Sequence, residues 1–538
     1  MGRRNCIVIG AGHNGLVLAA YLAKAGHSVT VLERRSVIGG CSVTEEAWPG
    51  FRVSTASYVI SLFLTSIIDE LKLKQYGLEI LPRTPSSFTP MRDGRHLLLG
   101  PDAELNRRSI ARFSPRDAEA YPRYEALLER VASIIEPILS RGAPELLPVA
   151  KSLRPGSIGR QLDGLRSAWG MRKALERLGP DLHEAIELLT GAARPILDRW
   201  FETDVLKATL ATDAIIGAFA SISAPGTAYV LMHHVMGEAG GARGVWGYVR
   251  GGMGGLAQSL AGACRDLGVT IRTDAAVRSI DVADGSVRGV TLESGESLSA
   301  PVVASTVDAH LTFEVLTAPE HLPEEFRRAI ARIDYASASA KINVALSEPP
   351  RFECLPEPGV GPHHHGTIHI GESLDTIERA YDDAKYGRPS GTPILEITMP
   401  TSVDRTLAPD GQHLLGMFVQ FAPYRLADGQ SWDAIKESFA DRCIEVLAEY
   451  APNVPRAILH RQVLSPLDLE RTFGLTGGNI MQGAMHPHQL FVMRPTLGWA
   501  DHRTPIRGLY LGGAAAHPGG GVMGSCGRNA ARAILADR

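Results

Sequence analysis

Apolar residues run unbroken from Cys6 to Ile9, a glycine-rich turn covers Gly10 to Gly15, and Leu16 to Ala25 is an apolar helical stretch. Ser28 to Leu32 then alternates as a strand and closes on Glu33. That order predicts a β-strand, a helix and a second parallel strand at the start of the chain. Residues from about 100 to 240 carry helical periodicity, as in Tyr124 to Leu139 and Asp181 to Leu189, broken by Pro and Gly. Strand patterns return after Gly251 to Thr273, with hairpin turns at Asp284-Gly285 and Ser294-Gly295 and an apolar strand at Val302 to Ser305. Between Tyr335 and Leu346, alternation puts Ile342, Val344 and Leu346 on one face and Lys341 and Asn343 on the other. Further strands are expected near Thr367 to Ile370, Ile394 to Met399 and Leu414 to Phe421, and the last 30 or so residues read strand, glycine loop, helix. Helical and strand patterns interleave rather than splitting into blocks, so the expectation is an α/β protein. A Rossmann-type cofactor domain from residues 1–85, 245–315 and 500–538 would interleave with an α+β substrate domain from 86–244 and 316–499.

At 538 residues the chain exceeds one simple core. Hydrophobic residues at 44% and charged residues at 21% are globular values, which exclude a disordered or fibrous protein. A formal net charge of −3 gives no basic field for nucleic acid. The six cysteines, Cys6, Cys41, Cys264, Cys354, Cys443 and Cys526, contain no CxxC pair, so neither a disulfide framework nor a redox dithiol is expected. The start, MGRRN, enters a strand at once and leaves no room for a signal or transit peptide, and the uncharged runs are too short or too broken by Gly, Pro or His to span a membrane. Localisation is therefore expected to be cytoplasmic.

Glycine changes the picture, because 56 residues exceed the average share of about 7% and the excess falls in a few loops. Gly10-Ala11-Gly12-His13-Asn14-Gly15 matches GxGxxG between strand and helix, with Glu33 closing the next strand. The first glycine permits the turn, the second admits a diphosphate to the backbone, and the third lets helix and strand pack, while the helix start offers free N–H groups. Glu33, followed by Arg34, is expected to accept hydrogen bonds from an adenosine ribose. Gly39-Gly40 after the second strand, Val277 in a late strand, and the C-terminal cluster with Gly512, Gly513, Gly521 and Val522 suggest a second contact surface of the kind FAD needs, rather than NAD.

The segments IVIGAGHNGLVLAAYLAKAGHSVTVLERRSVIGG, YVRGGMGGLAQSL and GLYLGGAAAHPGGGVMGSCGRNAA resemble the phytoene desaturase and carotenoid isomerase group of the amine-oxidase-like FAD superfamily. Segments such as VTEEAWPGF, FETDVLKATLATDAIIGAF, YVLMHHVMG and DLERTFGLTGGNI are similar to one branch of it over nearly the whole chain, the pyridine nucleotide-disulphide oxidoreductase domain-containing proteins of animals and bacteria. Despite that name, the missing cysteine pair argues against disulphide reduction. Cys41 stands where many members carry Arg after the double glycine, and Ser54 where an acid often stands. The resemblance implies a non-covalent FAD oxidoreductase that removes hydride from a C–H bond of an apolar or amphipathic substrate, as a desaturase or dehydrogenase, with isomerisation as a variant. An amine oxidase and a flavoprotein with mainly a partner-binding role are the alternatives. Peripheral membrane contact fits such a substrate, the oligomeric state is left open, and the animal relatives raise a mitochondrial location as the alternative.

Lys341 lies in a place similar to the lysine that amine oxidases hold near the flavin, or else it is a lysine snorkelling from a strand end. His517, in the C-terminal loop, is the second catalytic candidate, as a proton acceptor or as part of a turn. Trp246 and Tyr248 resemble aromatics that line the ring in relatives, or simply pack. His233 and His234 face a substrate cavity or a core, and the run from Ala214 to Gly237 lines a cavity or packs. His363, His364, His365 and His369 lack ligand spacing, so no metal is expected. Cys526 opens a helix where a small residue suffices, which leaves the flavin non-covalent.

Overall fold

The computed structural model describes residues 2–143, 169–170, 172–173, 175–239 and 242–537. The part of the expected helical insertion at 144–168 lies outside them, as do Met1 and Arg538.

Strand β1 (Asn5–Ile9), helix α1 (His13–Lys24) and strand β2 (Ser28–Leu32) form the predicted unit. Four of the five residues in β1 are buried because helices and loops cover both faces of a parallel sheet. The sheet runs Thr270–Arg272, β2, β1, Val302–Ser305, Leu509–Leu511, and every neighbour is parallel. Its strands therefore come from three distant parts of the chain. A three-stranded antiparallel sheet (Val277–Ala283, Ser286–Leu292, Ser297–Ser299) packs beside it. Its first turn is Asp284-Gly285, with φ of 51° and 66°, the left-handed pair that a tight hairpin needs.

The second large sheet has seven strands in the order Ile458–Leu464, Ser339–Leu346, His413–Gln420, Ile394–Thr398, Thr367–Ile370, Ser87–Pro90, His96–Leu99. All its pairs are antiparallel except that between Thr367–Ile370 and Ser87–Pro90. One face buries Ile342, Val344, Leu395, Ile397, Met417 and Val419 with residues of the helix Trp432–Ala448. The alternation from Tyr335 to Leu346 suggested a polar outer face. All eight residues of Ser339–Leu346 are buried instead, because strands flank it on both sides and its second face meets other protein.

A helical layer lies over part of this sheet. Ser114 caps Pro115–Leu139 by accepting from Asp117 N–H, with Pro115 at the first helical position. Buried Asp117 accepts from the N–H groups of Glu202 and Thr203 at 3.0 and 2.8 Å, which fixes the long helix to the loop before Asp204–Ala211. Its core also holds Ala218 and Ala228, at 7% and 1% exposure, so both lie in packed protein rather than on a cavity wall. No described helix is long and apolar enough to cross a membrane.

Candidate active site

A cavity of about 1000 Å³ runs from the glycine turn, past the seven-stranded sheet, to the helical layer. At its first end the chain passes β1, turns at Gly10 with φ of 99°, and enters α1. A Cβ on Gly15 would lie 2.0 Å from the Gly10 carbonyl, so Gly15 serves close strand–helix packing. A Cβ on Gly12 would meet nothing nearer than the Gly39 carbonyl at 4.0 Å, and it would occupy cavity space. The first helical hydrogen bond is Leu16 N–H to the Gly12 carbonyl, at 3.0 Å, so the N–H groups before it have no helical acceptor. His13 and Asn14 line the cavity beside them, and burial lowers the His13 pKa to about 4. An open cradle, N–H groups without a helical acceptor and a neutral histidine fit a dinucleotide diphosphate.

Glu33 is buried on the same wall. Its Oε2 accepts from Ala11 N–H at 2.9 Å and its Oε1 from Arg35 N–H at 3.0 Å, so it braces the glycine turn with acceptor capacity left over. Arg34 lines the cavity and donates Nη2 to the carbonyls of Arg471 and Thr472 at 3.1 and 2.6 Å. Gly40, Val277, Gly521 and Val522 also line it, Val522 with φ of 57°, a strained position for a β-branched residue.

Four expected contacts lie off the wall. Gly39 pairs with Gly12, and its N–H donates to the Ala11 carbonyl at 2.9 Å. A Cβ on Gly512 would fall 2.6 Å from Leu18 Cδ1, and one on Gly513 2.2 Å from the Thr306 carbonyl, so both glycines exist for close packing. His517 is buried against the Phe491 ring, centroids 5.3 Å apart, away from the cavity. Its position fits the turn role rather than that of proton acceptor.

Lys341 does reach the cavity. It is 3% exposed, donates to Asn343 Oδ1 at 2.6 Å, and lies 5.2 Å from the centre of the Tyr58 ring. Burial lowers its pKa to about 7. A snorkelling lysine would keep its ammonium in water, so this is a buried amine. Asn343 in turn donates to the Thr55 carbonyl and Gln462 Oε1 at 3.2 and 3.0 Å, which fixes its acceptor toward Lys341.

The sheet register shows what sequence reasoning missed. Lys341 and Glu396 both pair with Phe418, and Glu396 pairs with His369. Cross-strand partners share a face, so Lys341, Phe418, Glu396 and His369 form one row, and all four line the cavity. Burial, aided by Asp213, raises Glu396 to about 8, and burial raises Asp213 to about 7 against the pull of Arg83. Glu396 Oε1 has no hydrogen-bond partner among the described residues. Arg83, at 2% exposure, donates Nε to the Trp246 carbonyl at 3.2 Å and Nη1 to Thr367 Oγ1 at 2.9 Å.

Trp246 lines the cavity and stacks with His234 at 5.6 Å, whereas Tyr248 and His233 lie behind the wall. His233 Nε2 meets the Gly520 carbonyl at 3.2 Å. His363 and His364 pack against Phe352 away from the cavity, and no cluster among the described residues can hold a metal. Cys526 Sγ points to the carbonyls of Ala516 and Gly519, and burial raises its pKa to about 11, so it is an inert packed thiol.

The family model described as flavin containing amine oxidoreductase matches residues 15–535. The chain is 44% identical to the rat pyridine nucleotide-disulfide oxidoreductase domain-containing protein 2, over 99% of this chain and 93% of the relative. It is 23% identical to phytoene desaturase of Fusarium fujikuroi, over 97% of this chain and 87% of that one. Cyclohexylamine oxidase from Brevibacterium oxydans has a similar structure, with a TM-score of 0.57 at 16% identity over 99% and 98% of the two chains, a likeness of fold. With its glycine turn, parallel sheet and cavity, the chain belongs to the flavin-containing amine oxidoreductase family and is an FAD-binding oxidoreductase.

Proposed function

We propose that the protein is a dehydrogenase of the desaturase type, which removes hydride from a C–H bond of an apolar or amphipathic small molecule, with double-bond isomerisation as a close variant. The observation that carries this is the continuity of one cavity from the dinucleotide turn to a wall containing Leu99, Leu128, Leu210, Ile216 and Val235. That wall suits an apolar body and is long enough to leave room beyond a cofactor.

FAD, when bound, supplies a two-electron acceptor for such a bond. The N–H groups at Gly12 to Gly15 would hold its diphosphate, with Glu33 and Arg34 toward the ribose and Gly40, Val277, Gly521 and Val522 against its remaining surface. Lys341, with a pKa of about 7, takes the proton that leaves the neighbouring carbon, and Asn343 Oδ1 orients its Nζ. The division into a cofactor unit (1–85, 245–315, 500–538) and a substrate unit (86–244, 316–499) belongs to the same reading, supported by the segments each large sheet draws on. Peripheral membrane contact, through which an apolar substrate would be collected, is part of it too, as is a cytoplasmic location in a bacterium or a mitochondrial one in an animal.

One observation favours a second reading, amine oxidation. Tyr58 and Phe418, ring centres 5.9 Å apart, flank Lys341 as an aromatic pair. Anaerobic bleaching of the yellow protein by a panel of lipids and amines tests both. Bleaching by apolar lipids is expected; bleaching by amines alone would replace the desaturase reading, and bleaching by none would leave a flavoprotein that binds a partner.

A further inference from the structure

We propose that Arg83 is a specificity-determining residue that binds a carboxylate at the helical end of the cavity, so that the substrate is an apolar acid. This rests on the oxidoreductase reading above and deepens it.

Two buried arginines are satisfied in different ways. Arg494, at 3% exposure, uses all three guanidinium nitrogens on backbone carbonyls, those of Ala514, Ala484, Gln489, Met481 and Gly483. It is a structural knot. Arg83 is as deeply buried, yet its hydrogen bonds to described residues come from Nε and Nη1 alone, to one carbonyl and one hydroxyl. No described carboxylate lies within ion-pair distance of it. A permanent cation removed from water without a counter-charge is costly; the Tyr248 ring, 5.3 Å from the Arg83 guanidinium, covers one side of it, and Arg83 also lines the cavity.

The surrounding acids do not supply that counter-charge fully. Asp213 and Glu396 share the wall with Arg83, and burial holds both toward their neutral forms near neutrality. The unpartnered Glu396 Oε1, on a residue 5% exposed, is therefore a hydrogen-bond donor when protonated. A guanidinium and a protonated carboxyl on one cavity wall can together receive a carboxylate, which accepts from both and neutralises the cation. An amine would instead place a second cation beside Arg83. A neutral hydrocarbon would offer no acceptor to Arg83 Nη2 and no polar partner to Glu396 Oε1.

The register sets the distance from head group to chemistry. Glu396 and Lys341 are two strands apart, about 9–10 Å at the usual strand spacing. An acid held at Arg83 and Glu396 thus presents carbons several bonds from its head group to the Lys341 side.

Calorimetric titration of the FAD-loaded protein with dodecanoate, dodecanol and dodecylamine tests this, since the three probes share one chain. Dodecanoate is expected to bind at least tenfold more tightly than either of the others. Arg83→Met should remove that preference while changing dodecanol affinity less than twofold, and Arg83→Lys should recover part of it, because a point charge lacks the fork. Equal affinities in the wild-type protein, tighter binding of the amine, or no dodecanoate binding would overturn the proposal without needing any variant to fold. Arg83-dependent acid binding with no bleaching by any acid would refute the dehydrogenase reading alone. Bleaching by neutral lipids, with acids failing to bind, would refute the carboxylate site alone.

Discussion

Lys341 and Glu396 are both register partners of Phe418, from the strands on either side of it, so an amine and a carboxyl stand on the same face of one sheet. Neither forms an ion pair within 4 Å among the described residues, and burial pushes each toward its neutral form, from opposite directions.

The two groups should leave opposite signatures in stability. Lys341 has a native pKa of about 7 against 10.5 unfolded, so between those values the unfolded chain binds the extra proton and stability rises with pH. Lys341→Met should be more stable than wild type at pH 7, and the gap should narrow toward pH 10, by up to about 1.4 kcal/mol per pH unit. Glu396 has a native pKa of about 8 against 4.5 unfolded, so in that window the native state holds the extra proton and stability falls as pH rises. Relative to wild type, Glu396→Gln should therefore gain stability from pH 5 to pH 8. Denaturant melts at several pH values measure both, and parallel wild-type and variant profiles would contradict the buried-amine and buried-acid assignments.

Two glycines three residues apart should fail differently. Gly12→Val fills open cavity space, so the protein is expected to fold but to lose its yellow colour, with FAD affinity down at least a hundredfold. Gly15→Ala drives a Cβ to 2.0 Å from the Gly10 carbonyl and should lower the melting temperature or prevent folding. Circular dichroism beside the flavin absorbance of each purified variant separates the cases.

Ala218→Trp and Ala228→Trp place a large ring in the packed core of the helical layer. Overpacking costs roughly 1–3 kcal/mol for small additions and more for an indole. Both variants should be unstable and poor in flavin. A stable, yellow and merely slower Ala218→Trp would mean that Ala218 faces the cavity, as its neighbour Ile216 does.

Cys526 is enclosed and faces carbonyls, not the cavity. Heat denaturation should release all the FAD, leave no flavin absorbance on the precipitated chain, and give the same result for Cys526→Ala. Flavin retained on the wild-type chain alone would point to a covalent link at that sulfur.

What the sequence determined by itself was the local part: the strand, glycine turn and helix of residues 5–24, the Asp284-Gly285 hairpin, and the strand, loop and helix at the C-terminus. In these the chemistry depends on backbone conformation within a few neighbours, and residue type and spacing dictate that directly. Lys341 was visible for a related reason, since an amine within an apolar alternation stands out. Arg83, Asp213 and Glu396 were invisible because they come from segments more than a hundred residues apart and each sits in unremarkable local surroundings. Only the strand order of the second sheet, and the helical layer closing over it, brought them to one wall and removed their water, and that removal sets their charge state. The glycines at 39, 512 and 513 taught the converse: each sits where a Cβ would meet neighbouring protein atoms, the Ser42 carbonyl, Leu18 Cδ1 and the Thr306 carbonyl, a closeness that sequence spacing cannot distinguish from an approach to a ligand.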